Sequence, residues 1–376
     1  MFQNVVKDSS ASHGRRIQIA NIAHEVEDFN WMSNVWEWIW PISKLALVGF
    51  CCEQNGLFKY GELHRMSKSR YDELMAQVFA AADIGSNTAH LLIAASDGKL
   101  VMRLDNVNEW IPLGEEVAIT GVISKERIEQ LIAVIREFKR AAASRSAVSI
   151  YIFATEAVRV ANNFPAVLTM IKSESGIKVD VVSPQREAEL SVLGIRLDTF
   201  GDPVNLMFEV GGGSVQIASL RAGKIDKEMS LPLGTGRLIA TSSLKNPCSP
   251  QAIEHSQKYI ESELSKCEIS VHSPVAVASG GVARGLWRAL HPDGEKLLWQ
   301  AELDYIAWIS ARLTSSRIVE RFNVKAKRAG TLLPGALVYA ALLKKFGVNS
   351  MKLSEFGVRE GAIMEMASGN VKGQKV

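Results

Sequence analysis

Two short stretches place an acid and a run of small residues directly after apolar strands. They are DIGSN at 83–87, inside AADIGSNTAHLLIA, and EVGGGS at 209–214, inside MFEVGGGSVQIASL. Each offers a carboxylate at a strand end, Asp83 or Glu209, followed by residues whose backbone N–H groups stand clear of bulky side chains. Phosphate oxygens need such donors at close range, which is why glycine recurs where backbone meets an anion. Taken alone, Gly85, Ser86, Asn87 and Thr88 equally suit a plain hairpin turn, since Gly and Asn tolerate positive φ. A third stretch, ASGGVARGL at 278–286, sets two glycines between a strand and a helix start. Three such turns in this order point to a nucleotide or polyphosphate cleft, with Gly211, Gly212, Gly213 and Ser214 as its second loop.

The elements that must position these turns become regular from residue 78. Apolar runs bounded by turn residues predict strands at 78–84, 90–96 and 99–105. A helix follows over about 124–143, with Ser124 as N-cap and Ile128, Leu131, Ile132, Ile135 and Phe138 as its buried stripe. Residues 147–155 read as a strand, EAVRVANNFPAVLTMIKS as a helix, 177–183 as a strand, and 184–197 as a helix opened by Pro184. The order then restarts, with strands at 204–212, 214–223, 227–234, 274–281 and near 350–356, and a closing helix from Val358. The apolar LLPGALV (332–338) reads as a core helix of the second half. The two halves share a topological order but not a sequence, which suggests two α/β lobes facing a cleft.

Composition bounds the rest. The chain has 376 residues, 47% hydrophobic and 22% charged, with 43 Lys and Arg against 40 Asp and Glu. A net charge of +3 with scattered basic residues gives no case for nucleic-acid binding. Cys51, Cys52, Cys248 and Cys267 form no CxxC pair or zinc spacing, and a reducing, cytoplasmic compartment is expected. The most apolar segment, 36–52, is interrupted by Glu37, Pro41 and Lys44, so no membrane span is expected. Trp31, Trp36, Trp38 and Trp40 crowd into residues 1–77, which carry no clear period and read as an accessory or poorly ordered extension. The expected division is therefore 1–77 as extension, 78–200 as first lobe, and 201–376 as second lobe, the closing helix free to pack back on the first.

From about 78 to 366 the chain resembles the exopolyphosphatase/guanosine pentaphosphate phosphohydrolase (Ppx/GppA) family, in a short form without the C-terminal helical extension. AADIGSNTAHLLIA, FATEAVRVANN, VVSPQREAEL, EVGGGSVQI, SLPLGTGRL, ASGGVARGL, LLPGALV and LSEFGVREG carry the resemblance in order. It implies a duplicated, two-lobed actin-like or sugar-kinase-like (ribonuclease H-like) α/β fold with an interlobe cleft. It also implies Glu187 as general base for water attacking a terminal phosphorus, and Arg159 as a phosphate ligand. An acid in the first turn of a helix is favoured by the macrodipole in any case, so the residue type alone does not make Glu187 catalytic. Asp83, Glu209 and Gln216 match positions associated with a divalent ion, Mg²⁺, and the attacking water.

Three positions depart from the family pattern. Gln216 stands where an acid is usual, Pro112 where an arginine is usual, and Arg186 where an acid commonly precedes the glutamate. A cation beside Glu187 would favour its ionised form if the two meet. His90 follows the first loop and reads as a packed residue rather than a catalyst. The expected activity is release of terminal orthophosphate from polyphosphate or guanosine pentaphosphate, with a homodimer as one assembly to test. The rival is a catalytically weakened regulator that binds (p)ppGpp or polyphosphate, and a sugar-kinase-like phosphotransferase is a third reading.

Overall fold

A computed structural model describes residues 76–199, 201–272, 274–291 and 294–376. The expected extension lies outside the described residues as far as residue 75. The first half builds β1 (Gln77–Ile84), β2 (Thr88–Ser96), β3 (Val101–Trp110), α1 (Leu113–Thr120), α2 (Lys125–Ser144), β4 (Ser149–Ala154), α3 (Glu156–Val160), α4 (Phe164–Ser175), β5 (Val179–Val181) and α5 (Pro184–Ile195). The second builds β6 (Leu206–Val210), β7 (Val215–Arg221), β8 (Lys224–Leu231), α6 (Thr235–Ser242), α7 (Pro250–Ser265), β9 (Ala276–Ser279), α8 (Gly280–Leu290), β10 (Leu297–Trp299), α9 (Gln300–Ser310), α10 (Ser315–Phe322), α11 (Ala326–Phe346), β11 (Ser350–Leu353) and α12 (Val358–Ala367).

The strand order is β3-β2-β1-β4-β5 in one sheet and β10-β11-β9-β6-β7-β8 in the other. β1 pairs antiparallel with β2 and parallel with β4, and β6 repeats this with β7 and β9. The second sheet is thus the first again, with β11 in the place of β5 and β10 added antiparallel at its edge. This is the duplicated, two-lobed α/β architecture of actin and sugar kinases that the resemblance implies. Two parallel connections per sheet put helices on both faces, so the central strands bury nearly continuous apolar runs. The pattern is visible in β1, where Phe79 to Ala82 are all buried.

Local sequence explains most boundaries. Ser124 and Ser183 cap α2 and α5 by accepting from Arg127 N–H and Arg186 N–H. The predicted helix through EAVRVANNFPAVLTMIKS is instead two helices, α3 and α4, broken at Ala161–Asn163. Pro165 supplies the reason, because a residue without N–H fits only a first turn and forces the helix to restart there. LLPGALV lies inside α11, where Leu332, Leu333, Ala336 and Val338 are buried in the second core.

One helix pair joins the halves. On α5, Leu190 packs with Phe79, Phe153 and Ile363 against the first sheet, while Val192 and Ile195 pack with Met207, Ala218 and Val277 against the second. The closing helix α12 lies on the first sheet through Ala362, Ile363 and Met366. A Cβ on Gly194 would overlap the backbone of Gly357, and one on Gly361 would overlap the backbone of Leu190. The two helices therefore cross backbone to backbone.

Candidate active site

The β1–β2 and β6–β7 hairpins close with the same bond. Gly85 N–H donates to the Thr88 carbonyl at 2.9 Å, and Gly211 N–H to the Ser214 carbonyl at 2.9 Å. The glycines do not serve a positive φ, because neither loop contains a residue in the left-handed region. They serve close approach. A Cβ on Gly212 would stand 2.6 Å from Asn87 Nδ2, and one on Gly213 would overlap the Glu156 carboxylate. Only bare backbone lets the two loops meet across the lobes.

The cleft between them is lined by Asp83, Gly85, Ser86, Asn87, Thr88, Glu187, Glu209 and Gly211 to Ser214. Ten of the sequence-predicted residues and the predicted base thus converge. Its free room is about 130 Å³, well under the ~300–1,000 Å³ of sites that enclose a drug-sized ligand. That room suits the end of a phosphate chain better than a whole nucleotide.

Glu187 stands in the first turn of α5, with its side chain 17% exposed. Burial pushes its carboxyl up to about 8; Arg159, 3.5 Å away, opposes the rise, and Glu209 and Asp83 add to it. Arg159 is not part of the cleft wall among the described residues. Its Nη1 donates to the Val182 carbonyl at 2.6 Å and faces Glu187, so it braces the base. Arg186 turns away to Glu189 at 3.1 Å and Glu365 at 2.6 Å on α12. The cation beside Glu187 is therefore Arg159. Pro112 precedes α1 as its N-cap, outside the cleft wall.

The two strand-end acids are held differently. Asp83 Oδ1 receives the guanidinium of buried Arg359 from α12. Glu209 Oε2 accepts from Ser191 Oγ at 2.7 Å and Ser279 Oγ at 2.8 Å, which leaves Oε1 near Gly280. Gln216, opposite Glu209 on β7, is 2% exposed and outside the cleft wall, and both its amide atoms lack a partner among the described residues. No cluster of three or more His, Cys, Asp or Glu able to hold a metal occurs among those residues. Glu209 Oε1, at the cleft wall, still fits a hard cation that keeps waters and borrows phosphate oxygens, as Mg²⁺ does.

Sequence reasoning overlooked several residues here. Glu156 accepts from Ser86 Oγ at 3.1 Å and pairs with Arg237, whose Nε donates to the Gly213 carbonyl at 3.1 Å. That chain ties one loop to the other. Arg284, Arg328 and Arg359 add cations to the cleft wall. His90 lines the cleft as well, and burial, then Arg359, lower it to about 4, so it stays neutral near pH 7. Arg284 and Arg359 lie inside ASGGVARGL and FGVREG, but a single arginine in a helix's first turns gives no local sign of its target.

Among the described residues no helix is long and apolar enough to cross a membrane. Exopolyphosphatase 1 of Mycobacterium leprae (strain TN) is 28% identical over 306 residues, covering 77% of this chain and 90% of its own length. Exopolyphosphatase 1 of Mycobacterium tuberculosis (strain ATCC 25618 / H37Rv) is also 28% identical over 306 residues, covering 77% and 88%. The solved Ppx/GppA family member of Aquifex aeolicus superposes with a TM-score of 0.67 at 25% identity, covering 79% of this chain and 99% of that one. An exopolyphosphatase from Cytophaga hutchinsonii ATCC 33406 shares the fold, with a TM-score of 0.70 at 22% identity over 79% and 100%. The family model described as the Ppx/GppA phosphatase family matches residues 92–369. With that match spanning most of the chain, and paired glycine loops facing a buried glutamate, this protein belongs to the Ppx/GppA phosphatase family.

Proposed function

We propose that the chain is a phosphoanhydride hydrolase that releases terminal orthophosphate from inorganic polyphosphate. The observation that carries this reading is Glu187, a partly buried carboxyl raised to about 8, set in a narrow cleft between two glycine loops. Backbone N–H groups of the two loops hold the terminal phosphate. Glu187 takes a proton from water as the water oxygen bonds to phosphorus, and the bridging oxygen leaves with the shortened chain. The anhydride is already a good leaving group, so positioning and charge neutralisation supply most of the acceleration. Arg284, Arg328 and Arg359 face the oxygens on which that charge develops.

Mg²⁺ is the ion this reading assigns, held by Glu209 with Gln216 and Asp83 nearby; when bound it neutralises phosphate oxygens. Asp83 is already paired with Arg359, which leaves Glu209 as the principal ligand. Guanosine pentaphosphate is the second substrate to test, since its terminal phosphate presents the same group. Cys248 and Cys267 are free thiols, in keeping with a reducing compartment such as the cytoplasm.

One observation favours the regulator reading. Gln216 replaces a metal-binding acid with an unpartnered amide, which would weaken the ion site. The test is Mg²⁺-dependent orthophosphate release from each substrate by the native chain and by Glu187→Gln. Release that collapses in the variant supports hydrolysis. Binding without release by the native chain supports the regulator.

A further inference from the structure

The motif SLPLGTGRL (230–238) carries part of the family resemblance, yet it has no part in the steps assigned to the cleft. It ends β8 and begins α6. From there it holds every carbonyl of the three glycines in the second loop. Thr235 N–H donates to the Gly211 carbonyl at 2.9 Å, Gly236 N–H to Gly212 at 2.8 Å, and Gly234 N–H to Gly213 at 3.2 Å. A Cβ on Gly234 would stand 2.3 Å from backbone atoms of Gly212 and Gly213, so the contact is backbone on backbone. In a planar trans peptide the N–H points opposite the carbonyl. The brace therefore turns the N–H groups of Gly212, Gly213 and Ser214 away from α6, and none of the three donates elsewhere among the described residues. These are donors that the hydrolase reading gives to the terminal phosphate.

One side chain extends the brace across the lobes. Arg237 Nε donates to the Gly213 carbonyl at 3.1 Å, while its Nη2 pairs with Glu156 Oε1 on α3 of the first lobe. Glu156 Oε2 accepts in turn from Ser86 Oγ of the first loop at 3.1 Å. The two side chains are only 26% and 12% exposed, so water screens little of the pair. Arg237 itself lies outside the cleft wall. Its planar fork is what lets one side chain hold a carboxylate and a carbonyl at once.

We infer that Arg237 is a positioning residue: clasped by Glu156, it aims the backbone donors of the second loop at the terminal phosphate. The inference rests on the hydrolase reading and adds what controls the geometry of that site. Donor aim in the second lobe then depends on a carboxylate from the first, and the phosphate cradle is complete only while the two are tied. A lysine at 237 keeps the charge but offers a single nitrogen, which cannot serve Glu156 and Gly213 together.

The experiment measures kcat, KM and melting temperature on tripolyphosphate with Mg²⁺. It compares the full chain with Arg237→Lys, Arg237→Gln, Glu156→Gln and the double variant Arg237→Gln/Glu156→Gln. Arg237→Lys should melt near the native chain while kcat falls about 10- to 100-fold, the cost of misplacing a group at the reacting centre by about 1 Å. KM should rise by a smaller factor, because aimed donors matter most where charge develops. Each Gln substitution should lower kcat, and the double variant should lose no more than the worse single one, since the pair acts as a unit. Native kcat in Arg237→Lys, losses that multiply in the double variant, or kcat losses that only track melting temperature overturn the inference. If the native chain hydrolyses no phosphate chain, the hydrolase reading falls, and the same cycle is read from tripolyphosphate binding by calorimetry. Equal weakening by either single Gln substitution and by both together then upholds the clasp. Multiplied losses or unchanged binding overturn it.

Discussion

The two hairpin loops occupy the same place in duplicated sheets and close with the same bond, yet their roles have separated. The first presents side chains. Ser86 reaches Glu156 and Asn87 abuts Gly212. The second presents backbone, with three glycines that admit those side chains. Their acids differ in the same sense. Asp83 is paired with a buried arginine from α12, whereas Glu209 is steadied by two hydroxyls and pairs with no cation among the described residues. Duplication supplied two equivalent positions, and asymmetric packing paired one carboxylate with an arginine and left the other held by two hydroxyls.

That contrast can be tested most severely at Glu187, the proposed base, which lines the cleft with both loops. Glu187→Gln should lower kcat by about 10²–10⁴, the usual contribution of a general base, with binding of polyphosphate retained. Next in size, Asp83→Asn should lower stability by about 3–5 kcal/mol, because it leaves Arg359 buried without its counter-charge. Glu209→Gln should leave the melting temperature nearly unchanged and raise the Mg²⁺ concentration needed for half-maximal activity. If the two acids respond alike, the contrast between them is wrong. Between the loops themselves, Gly213→Ala should impair turnover far more than Gly85→Ala. The new methyl overlaps Glu156 in the first case, and stands 3.3 Å from the Thr88 carbonyl in the second.

The smallest effect is one of pH. Glu187 must be ionised to accept a proton, so kcat/KM should climb as pH rises toward about 8 and level off above it. Stability runs the other way. A carboxyl raised from 4.5 to about 8 binds its proton more tightly in the folded state, so stability declines between those two values as pH rises. Glu187→Gln should therefore gain thermal stability relative to the native chain at pH 9 but not at pH 4.

Much of this was legible before any coordinates. Apolar runs broken by glycine give the strands, and the sequence order β-β-β-α-β-α announces the duplication. Two helix starts were marked, by Ser124 and Pro184, and Glu187 follows the second. What stayed hidden depends on residues brought together by topology. Asp83 and Arg359 lie 276 positions apart, and Glu156 meets Arg237 across 81. Gly194 and Gly361 carry no local signal in the sequence, and only the crossing of α5 and α12 requires them. The loop glycines were legible as glycines that matter, but for a different reason. Hairpin chemistry suggests positive φ, and the structure instead uses their lack of a side chain.

The Asp83–Arg359 pair also sets a timetable. The first hairpin leaves a ribosome well before the cation that pairs with it. At synthesis rates of roughly 5–20 residues per second, the intervening 276 positions take about 14–55 s to make. Through that interval the nascent chain holds Asp83 without its counter-charge, and the last helix has not yet closed on the first sheet. A message broken before codon 358 would yield a protein with both loops and the glutamate but no finished cleft. Competence arrives only when α12 returns to β1.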